Sequence, residues 1–165
     1  MGFPRSGTTL LHHSLEAHPQ VTVLEERPTT SPLYRWLREH YGDLGRGLRE
    51  ASQEDLAELQ ALYRRTRDSY LAADSNAELV IDKLPLRTVE VGMLYRLFPD
   101  ARFLFARRHP CDCILSAFMQ TFAPNTAMAN FRSLEDAVHL YDRVLTLWQR
   151  YRGLFPLAQQ DVRYE

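Results

Sequence analysis

The apolar positions of the chain follow two different spacings. Short runs rich in β-branched or aromatic residues occupy positions 21–24, 79–81 and 101–106, and the closing segment 161–164 has a similar character. Runs of this length predict buried β-strands. Elsewhere apolar residues recur every three or four positions, which is the period of an amphipathic helix. The pattern therefore alternates strands with helices.

The helical spacing defines six predicted helices, at residues 8–17, 31–41, 53–73, 88–98, 112–122 and 134–151. Short apolar strands that alternate with helices are typical of a parallel sheet covered by helices on both faces. We therefore expect an α/β fold, built as one domain over residues 1–165. The glycine-rich segment 42–47 predicts a flexible loop, and because it follows a helix its glycines do not indicate a dinucleotide site.

Polar residues follow the predicted strands at the point where each one ends. In open parallel sheets ligands bind beyond the carboxyl ends of the strands, so these residues are expected to share one edge. They are Arg5-Ser6-Gly7, Glu25-Glu26, Asp82-Lys83 and Arg107-Arg108.

Residues 2–9 read GFPRSGTT, which has the spacing of a phosphate-binding P-loop, G-x-x-x-x-G-K-[ST], except that Thr8 stands at the lysine position. The N–H groups at the start of the following helix attract anions, and Arg5 adds charge. In nucleoside triphosphatases the lysine reaches the β- and γ-phosphates and an aspartate helps to hold magnesium. Asp82 is the one candidate for that aspartate, and Lys83 follows it directly. The loop therefore favours a ligand without a γ-phosphate and without a metal.

A second group of polar residues follows the third predicted strand. Arg108 ends that strand, Pro110 fits the first turn of a helix, and Ser116 lies about two turns further on. An arginine fork and a serine hydroxyl are able to hold one monophosphate. The alternative is a surface arginine and a serine that only packs against its neighbours.

Taken together, these motifs resemble those of the sulfotransferase family. The stretches that carry the resemblance are GFPRSGTTLL, LEERP, DKLP, RRHPCDCILSAF and VRYE, in this order. They are most similar to bacterial sulfotransferases that are fused to tetratricopeptide repeats and to protein-tyrosine sulfotransferases. The resemblance implies a P-loop-like α/β fold and the sulfonate donor 3′-phosphoadenosine 5′-phosphosulfate (PAPS).

The resemblance also implies roles for single residues. The 5′-phosphosulfate would be held by Arg5, Ser6, Gly7, Thr8 and Thr9, the 3′-phosphate by Arg108 and Ser116, and Tyr164 would line the donor site. Glu26 would be the base and Lys83 would stabilise the departing oxygen, with Arg5 as a further charge. Glu25 and Glu26 should face opposite sides if the strand continues through them, so that one of them faces the site. Pro28 stands where tyrosine sulfotransferases carry an arginine near the substrate, so peptidyl tyrosine is not implied as the acceptor.

Composition narrows the range of partners. The 165 residues are 45% hydrophobic and 25% charged, which are globular values, and the net charge of −1 gives no global attraction for nucleic acid or anionic membranes. Cys111 and Cys113 are too close to staple a fold, which indicates a reducing, cytoplasmic setting. No membrane segment or signal peptide is visible. The chain opens on the loop and closes in a strand, so we expect a fragment truncated at both ends, with tetratricopeptide repeats possible in the whole protein.

Two other functions fit parts of the pattern. A P-loop kinase of a small molecule would need ATP and magnesium, which the missing lysine disfavours. A nucleotide-binding fragment without activity would bind 3′-phosphoadenosine 5′-phosphate but would not catalyse transfer. The acceptor, a small molecule or peptide with a hydroxyl or an amine, is not defined by the motifs. His12 and His13 are adjacent and so lack the usual spacing of metal ligands.

Overall fold

The structure of the protein, a computed structural model, describes residues 1–73, 75, 77–122, 125 and 127–164. Its strands and helices alternate as the sequence predicts. In chain order they are α1 (Thr8–Glu16), β1 (Val21–Glu25), α2 (Ser31–Tyr41), α3 (Leu44–Glu50), α4 (Gln53–Asp68), β2 (Leu79–Lys83), α5 (Val91–Leu97), β3 (Arg102–Arg107), α6 (Pro110–Phe118), α7 (Leu134–Leu154) and β4 (Ala158–Arg163). Two 3₁₀-helices, Pro85–Glu90 and Met128–Arg132, precede α5 and α7.

The strands form two parallel pairs. β1 pairs with β2 so that Glu25 lies opposite Lys83, and β3 pairs with β4 so that Arg107 lies opposite Arg163. Gly2 lies between the pairs: it forms a parallel bridge with Ala106, and its N–H donates to the carbonyl of Pro85 at 3.1 Å. The prediction of an α/β fold with parallel strands is confirmed. Within the described ranges, no helix has the length and apolarity needed to cross a bilayer.

The glycine-rich segment 42–47 is not the loop that its composition predicts. It contains the start of α3, whose first turn is capped by the Asp43 carboxylate, which accepts from the Arg46 N–H at 2.8 Å. Gly47 is buried against α2, where a Cβ would lie 2.7 Å from Leu37 Cδ2. The cap and the tight packing outweigh the low helix propensity of the glycines.

Other boundaries differ by a few residues. α4 ends at Asp68 rather than at residue 73, and the predicted helix 88–98 is a 3₁₀-helix followed by α5. The closing strand is longer than predicted and begins at Ala158. Pro85 begins the 3₁₀-helix directly after β2, so the chain turns within two residues of the strand end.

The core is divided into clusters on different elements. One joins α2, α4 and α5 through Leu33, Leu37, Leu59 and Leu97. Another packs β3 against α7, where the Phe105 and Trp148 rings stack 4.8 Å apart. A third lies under the glycine loop: Phe3 is 1% exposed and its ring meets those of Phe131 and Tyr141 edge-on, at 5.8 and 4.8 Å. Phe3 therefore anchors the loop to α7.

A buried guanidinium group connects the end of β2 to the segment after β1. Arg87 is 3% exposed. It donates to Asp82 Oδ1 at 2.8 Å and to Glu90 Oε2 at 2.7 Å, so that its charge is balanced by two carboxylates that are themselves largely buried. It also donates to the segment 27–30, through the Arg27 carbonyl and the hydroxyls of Thr29 and Thr30.

We expect Arg87→Met to destabilise the fold by about 3–5 kcal/mol, because it leaves two buried carboxylates without their cation. Urea unfolding followed by circular dichroism measures the difference. Arg65→Met is the matched control, since Arg65 is an exposed arginine of α4 and a surface substitution of this kind changes stability by about 0.5 kcal/mol or less. Equal unfolding midpoints for the two variants would show that the Arg87 contacts are not needed for folding.

Candidate active site

The glycine loop is shaped by two close approaches. A Cβ on Gly2 would lie 2.6 Å from Ser6 Oγ and 2.7 Å from the Ala106 carbonyl oxygen, so any side chain there would displace the loop from β3. The Ser6 N–H donates to the Phe3 carbonyl at 3.1 Å and closes the turn. Arg5 and Gly7 both have positive φ, 68° and 92°, and Gly7 leads directly into α1. The sequence GFPRSG therefore folds as a tight turn onto a helix N-terminus.

This turn has unused hydrogen-bonding capacity. Among the described residues no side chain caps α1, so the N–H groups of its first turn point outward with the positive end of the helix dipole. The Ser6 hydroxyl is buried, at 2% exposure, and has no hydrogen-bond partner in the described part of the chain. Thr8 is buried and Thr9 is exposed at the start of the helix. An orphaned hydroxyl beside free N–H groups fits an oxyanion.

The two sequence motifs meet in space. The Arg5 Nε donates to Ser116 Oγ at 3.0 Å across a separation of 111 residues. Ser116 and Arg108 both line a cavity of about 370 Å³ together with Asp112, Leu115, Met119 and Gln120. Arg108 Nε lies 3.5 Å from the Asp112 carboxylate, and the Arg108 side chain is partly exposed, so the rest of the guanidinium group stays available.

Tyr164 covers the loop from the end of β4. Its N–H donates to the Arg107 carbonyl at 2.8 Å, which extends the strand pairing by one residue. A Cβ on Gly7 would lie 3.2 Å from the Tyr164 ring, and the Arg108 Cζ lies 5.5 Å from the centre of that ring. The structure therefore brings the loop, Arg108, Ser116 and Tyr164 together. Glu165, the last residue of the VRYE motif, lies outside the described residues.

Lys83 lies between two carboxylates at the neighbouring strand ends. Its side chain is 3% exposed, and its Nζ donates to Glu25 Oε1 at 2.8 Å and to Glu26 Oε1 at 3.2 Å. The hydrogen bond from Lys83 lowers the pKa of Glu25 below its usual range, against the opposing effect of partial burial. Both glutamate side chains are about half exposed, so solvent reaches the pair while the lysine stem stays buried.

Glu25 and Glu26 do not face opposite sides, because the strand does not continue through both of them, which was the condition of that expectation. Alternation holds only while the strand continues, and β1 ends at Glu25. Glu26 has a left-handed backbone, with φ of 52°, and its N–H donates to the Lys83 carbonyl at 2.7 Å. This turn brings both carboxylates to the same ammonium group.

His12 joins this cluster and was not predicted to do so. It lies on α1 with 4% of its side chain exposed, and its Nδ1 is 3.7 Å from Glu25 Oε1. Burial and the adjacent His13 lower its pKa, so the ring is neutral near pH 7. The ligand atoms of His12, His13 and Glu16 lie within 4.8 Å of one another, so adjacency in sequence does not keep them apart. The expectation that the site uses no metal stays a prediction.

Asp82, the candidate for a magnesium-binding aspartate, is engaged by the protein itself. It accepts from Thr29 Oγ1 at 2.5 Å, from Tyr63 Oη at 2.9 Å and from Arg87 Nη2 at 2.8 Å. A carboxylate with three protein donors has little capacity left for a metal ion. Asp82 thus has a structural role. This agrees with the interpretation that the glycine loop, which lacks the lysine of magnesium-dependent nucleotide sites, binds a different kind of ligand.

Comparison with known proteins places this sequence in a family. A sequence model described as "Sulfotransferase family" matches residues 1–165. The chain is 28% identical over 186 residues to the nodulation protein NoeE of Sinorhizobium fredii (strain NBRC 101917 / NGR234), with 100% of the chain and 44% of that protein covered. It is 25% identical over 170 residues to an uncharacterized protein of Aquifex aeolicus (strain VF5), with 100% of the chain and 22% of that protein covered. It thus spans less than half the length of either relative. With the family matched over its whole length, the chain belongs to the sulfotransferase family.

Proposed function

We propose that the chain transfers a sulfonate group from PAPS to a hydroxyl, or less readily to an amine. The observation that supports this proposal is the contact between Arg5 and Ser116, which joins the glycine loop to the Arg108 cavity, so that the two candidate anion-binding elements are neighbours. PAPS carries its anionic groups at two positions, the 5′-phosphosulfate and the 3′-phosphate. Two adjacent elements of this kind fit such a donor better than they fit a ligand with a single phosphate group.

The residues divide between the two ends of the donor. Ser6, Gly7, Thr8 and Thr9 would contribute the buried hydroxyl and the free N–H groups of the loop to the 5′-phosphosulfate, with Arg5 as the local charge. Arg108 and Ser116 would bind the 3′-phosphate in their cavity, with the ring of Tyr164 beside them. The donor has no γ-phosphate, so neither the missing lysine nor a metal is required.

The carboxylate and the lysine then have separate roles in the transfer. Glu26 would take the proton from the acceptor hydroxyl as its oxygen forms a bond to sulfur. The bond between sulfur and the bridging oxygen breaks, and that oxygen leaves with 3′-phosphoadenosine 5′-phosphate. Lys83 would stabilise the negative charge that develops on the departing oxygen.

The distances around Lys83 favour Glu26 over Glu25 as the base. A carboxylate held by an ammonium group is a weak base, so one of the two must be released when Lys83 turns to an anionic donor. Glu25 has the shorter contact with the Lys83 ammonium group, 2.8 Å against 3.2 Å. Glu26 is the more weakly held carboxylate and lies on the turn, where an acceptor is able to approach.

The acceptor and the cellular setting belong to the same proposal. We expect a small molecule or a peptide as acceptor and a cytoplasmic protein, with tetratricopeptide repeats as a possible part of the whole chain. Incubation with labelled PAPS and a panel of tyrosine peptides, carbohydrates and phenols tests the activity and the acceptor together. Labelled phosphate transfer from ATP and magnesium to the same panel, without sulfonate transfer, would favour a kinase instead.

The donor site predicts a preference for two phosphates. By calorimetry without magnesium, 3′-phosphoadenosine 5′-phosphate should bind about tenfold tighter than AMP or ATP. Arg108→Ala should weaken its binding by about 1.5–3 kcal/mol, because a charge-assisted contact is lost. Arg107→Ala is the matched control, since the neighbouring Arg107 side chain pairs with Asp161 instead of lining the cavity. Equal affinities for the bisphosphate and AMP would disprove the role of the Arg108 cavity.

The base assignment is tested by a matched pair of variants. Glu26→Gln keeps the size and polarity of the side chain but removes its basicity, so turnover should fall by roughly 10²–10⁴ while donor affinity stays nearly unchanged. Glu25→Gln should lower turnover much less. Both are assayed on one acceptor that the unaltered protein sulfonates. If Glu25→Gln is inactive and Glu26→Gln retains activity, the base has been assigned to the wrong carboxylate.

The role of Lys83 predicts a dependence on the leaving group. Lys83→Met should lower turnover, and the loss should shrink for donors whose leaving oxygen is more acidic and needs less stabilisation. Both glutamates that lose their partner are about half exposed, so the variant is expected to fold. Turnover is measured for PAPS and for an aryl sulfate donor, whose leaving phenol oxygen is less acidic than the phosphate of PAPS, so that the aryl sulfate should show the larger loss. An identical loss for both donors would contradict a role on the departing oxygen.

A further inference from the structure

A second and larger cavity shares no lining residue with the Arg108 cavity. Its volume is about 560 Å³, within the range of roughly 300–1,000 Å³ that small-molecule sites occupy. It is open to solvent and is lined by side chains of α2, α3, α5 and α7, with Val89 of the 3₁₀-helix that precedes α5. None of the proposed donor-binding or catalytic residues lines it.

One wall of this cavity is a stack of aromatic rings. Phe155 lies between the rings of Tyr95 and Tyr151, with centres 4.9 and 5.9 Å away. A Cβ on Gly92 would lie 2.9 Å from the Tyr151 ring, so the glycine allows that ring to pack directly on α5. Met93 lies at the buried base of the cavity, and Val89 leaves 45% of its surface exposed at the edge. This wall is therefore apolar, and packing holds its rings in place.

The charged side chains that line the cavity leave an excess of positive charge. Arg49 and Arg96 line it and are exposed, and neither has a hydrogen bond or an ion pair within the described part of the chain. The acidic group of the lining, Glu90, already accepts from Arg87 and from the Thr30 hydroxyl. Burial and the neighbouring Glu90 raise the pKa of the Tyr34 phenol, so it carries no charge near neutral pH. The available charge is that of the two arginines.

We propose that this cavity binds a small amphiphilic anion. An aromatic or aliphatic body would pack against Met93 and the ring stack, and a carboxylate, sulfonate, sulfate or phosphate group would meet Arg49 and Arg96. An arginine without a partner binds such groups through its fork of donors. The inference rests on this cavity alone and holds whatever the transfer reaction is.

The methionines allow the two cavities to be observed separately in one sample. The chain has four, of which Met93 lines this cavity and Met119 lines the Arg108 cavity. With methyl-¹³C methionine, 8-anilinonaphthalene-1-sulfonate should move the Met93 resonance and leave that of Met119 in place. 3′-Phosphoadenosine 5′-phosphate should move the Met119 resonance and leave that of Met93 in place. Failure of the second result alone would count against the proposed donor site and not against this cavity.

The role of the arginines is tested with a charged probe and its neutral counterpart. In the double variant Arg49→Gln, Arg96→Gln, affinity for the sulfonate probe should fall by at least about tenfold, because charge-assisted hydrogen bonds are lost. Affinity for N-phenyl-1-naphthylamine, which has the same body without the sulfonate, should stay within about twofold. Arg65→Gln on α4 removes an exposed arginine that does not line the cavity and should change neither affinity.

Two results would overturn the proposal. One is a Met93 resonance that does not move at the solubility limit of the sulfonate probe, or that moves together with all other methionines. The other is an unchanged sulfonate affinity in the double variant. Both substituted arginines are exposed and unpaired among the described residues, so the variant is expected to melt at the temperature of the unaltered protein, and a melting curve verifies this.

Discussion

The buried guanidinium of Arg87 is the constraint on which the candidate active site depends. A buried charge needs partners of opposite charge and hydrogen bonds, and Arg87 finds them at Asp82 on β2, at Glu90 on its own 3₁₀-helix, and at the carbonyl of Arg27 with the hydroxyls of Thr29 and Thr30. The Arg27 carbonyl directly follows Glu26. The hydrogen bonds of the Arg87 guanidinium therefore contribute to the position of the Glu26 carboxylate, which the strand alone does not determine.

The elements that position the site follow closely from the sequence. Runs of β-branched residues place β1 and β2, and because parallel strands end at the same edge, Glu25 and Lys83 are neighbours in the sheet as expected. The loop motif and the segment 108–116 are also adjacent, as a shared ligand would require. Local rules succeed here because spacing, turn chemistry and topology all agree.

The features that the sequence does not reveal are those that depend on distant partners. The two carboxylates that pair with Arg87 are near it in the chain, but nothing in the sequence shows that Arg87 also donates to Thr29 and Thr30, which are 58 and 57 residues away. The side on which Glu26 lies depends on one backbone angle beyond the strand end. His12 meets Glu25 because α1 packs on β1, and a lone histidine on a helix does not predict that contact. The start of α3 differs from these features because its signal is local. Asp43 is a preferred N-cap residue, but the glycines around it led to the prediction of a loop.

The left-handed backbone at Glu26 limits how this protein is able to diversify. A residue with positive φ carries strain of about 1–2 kcal/mol, which Asn, Asp and His tolerate more readily than most residues and β-branched residues tolerate poorly. With Glu26 as the proposed base, a redesign that places a different proton acceptor at this position has few choices, of which aspartate and histidine are the basic ones. Aspartate shortens the reach by one methylene, and histidine exchanges an acid for a group that titrates near neutrality. The geometry of a single turn thus narrows the chemistry that evolution or engineering can install at this edge.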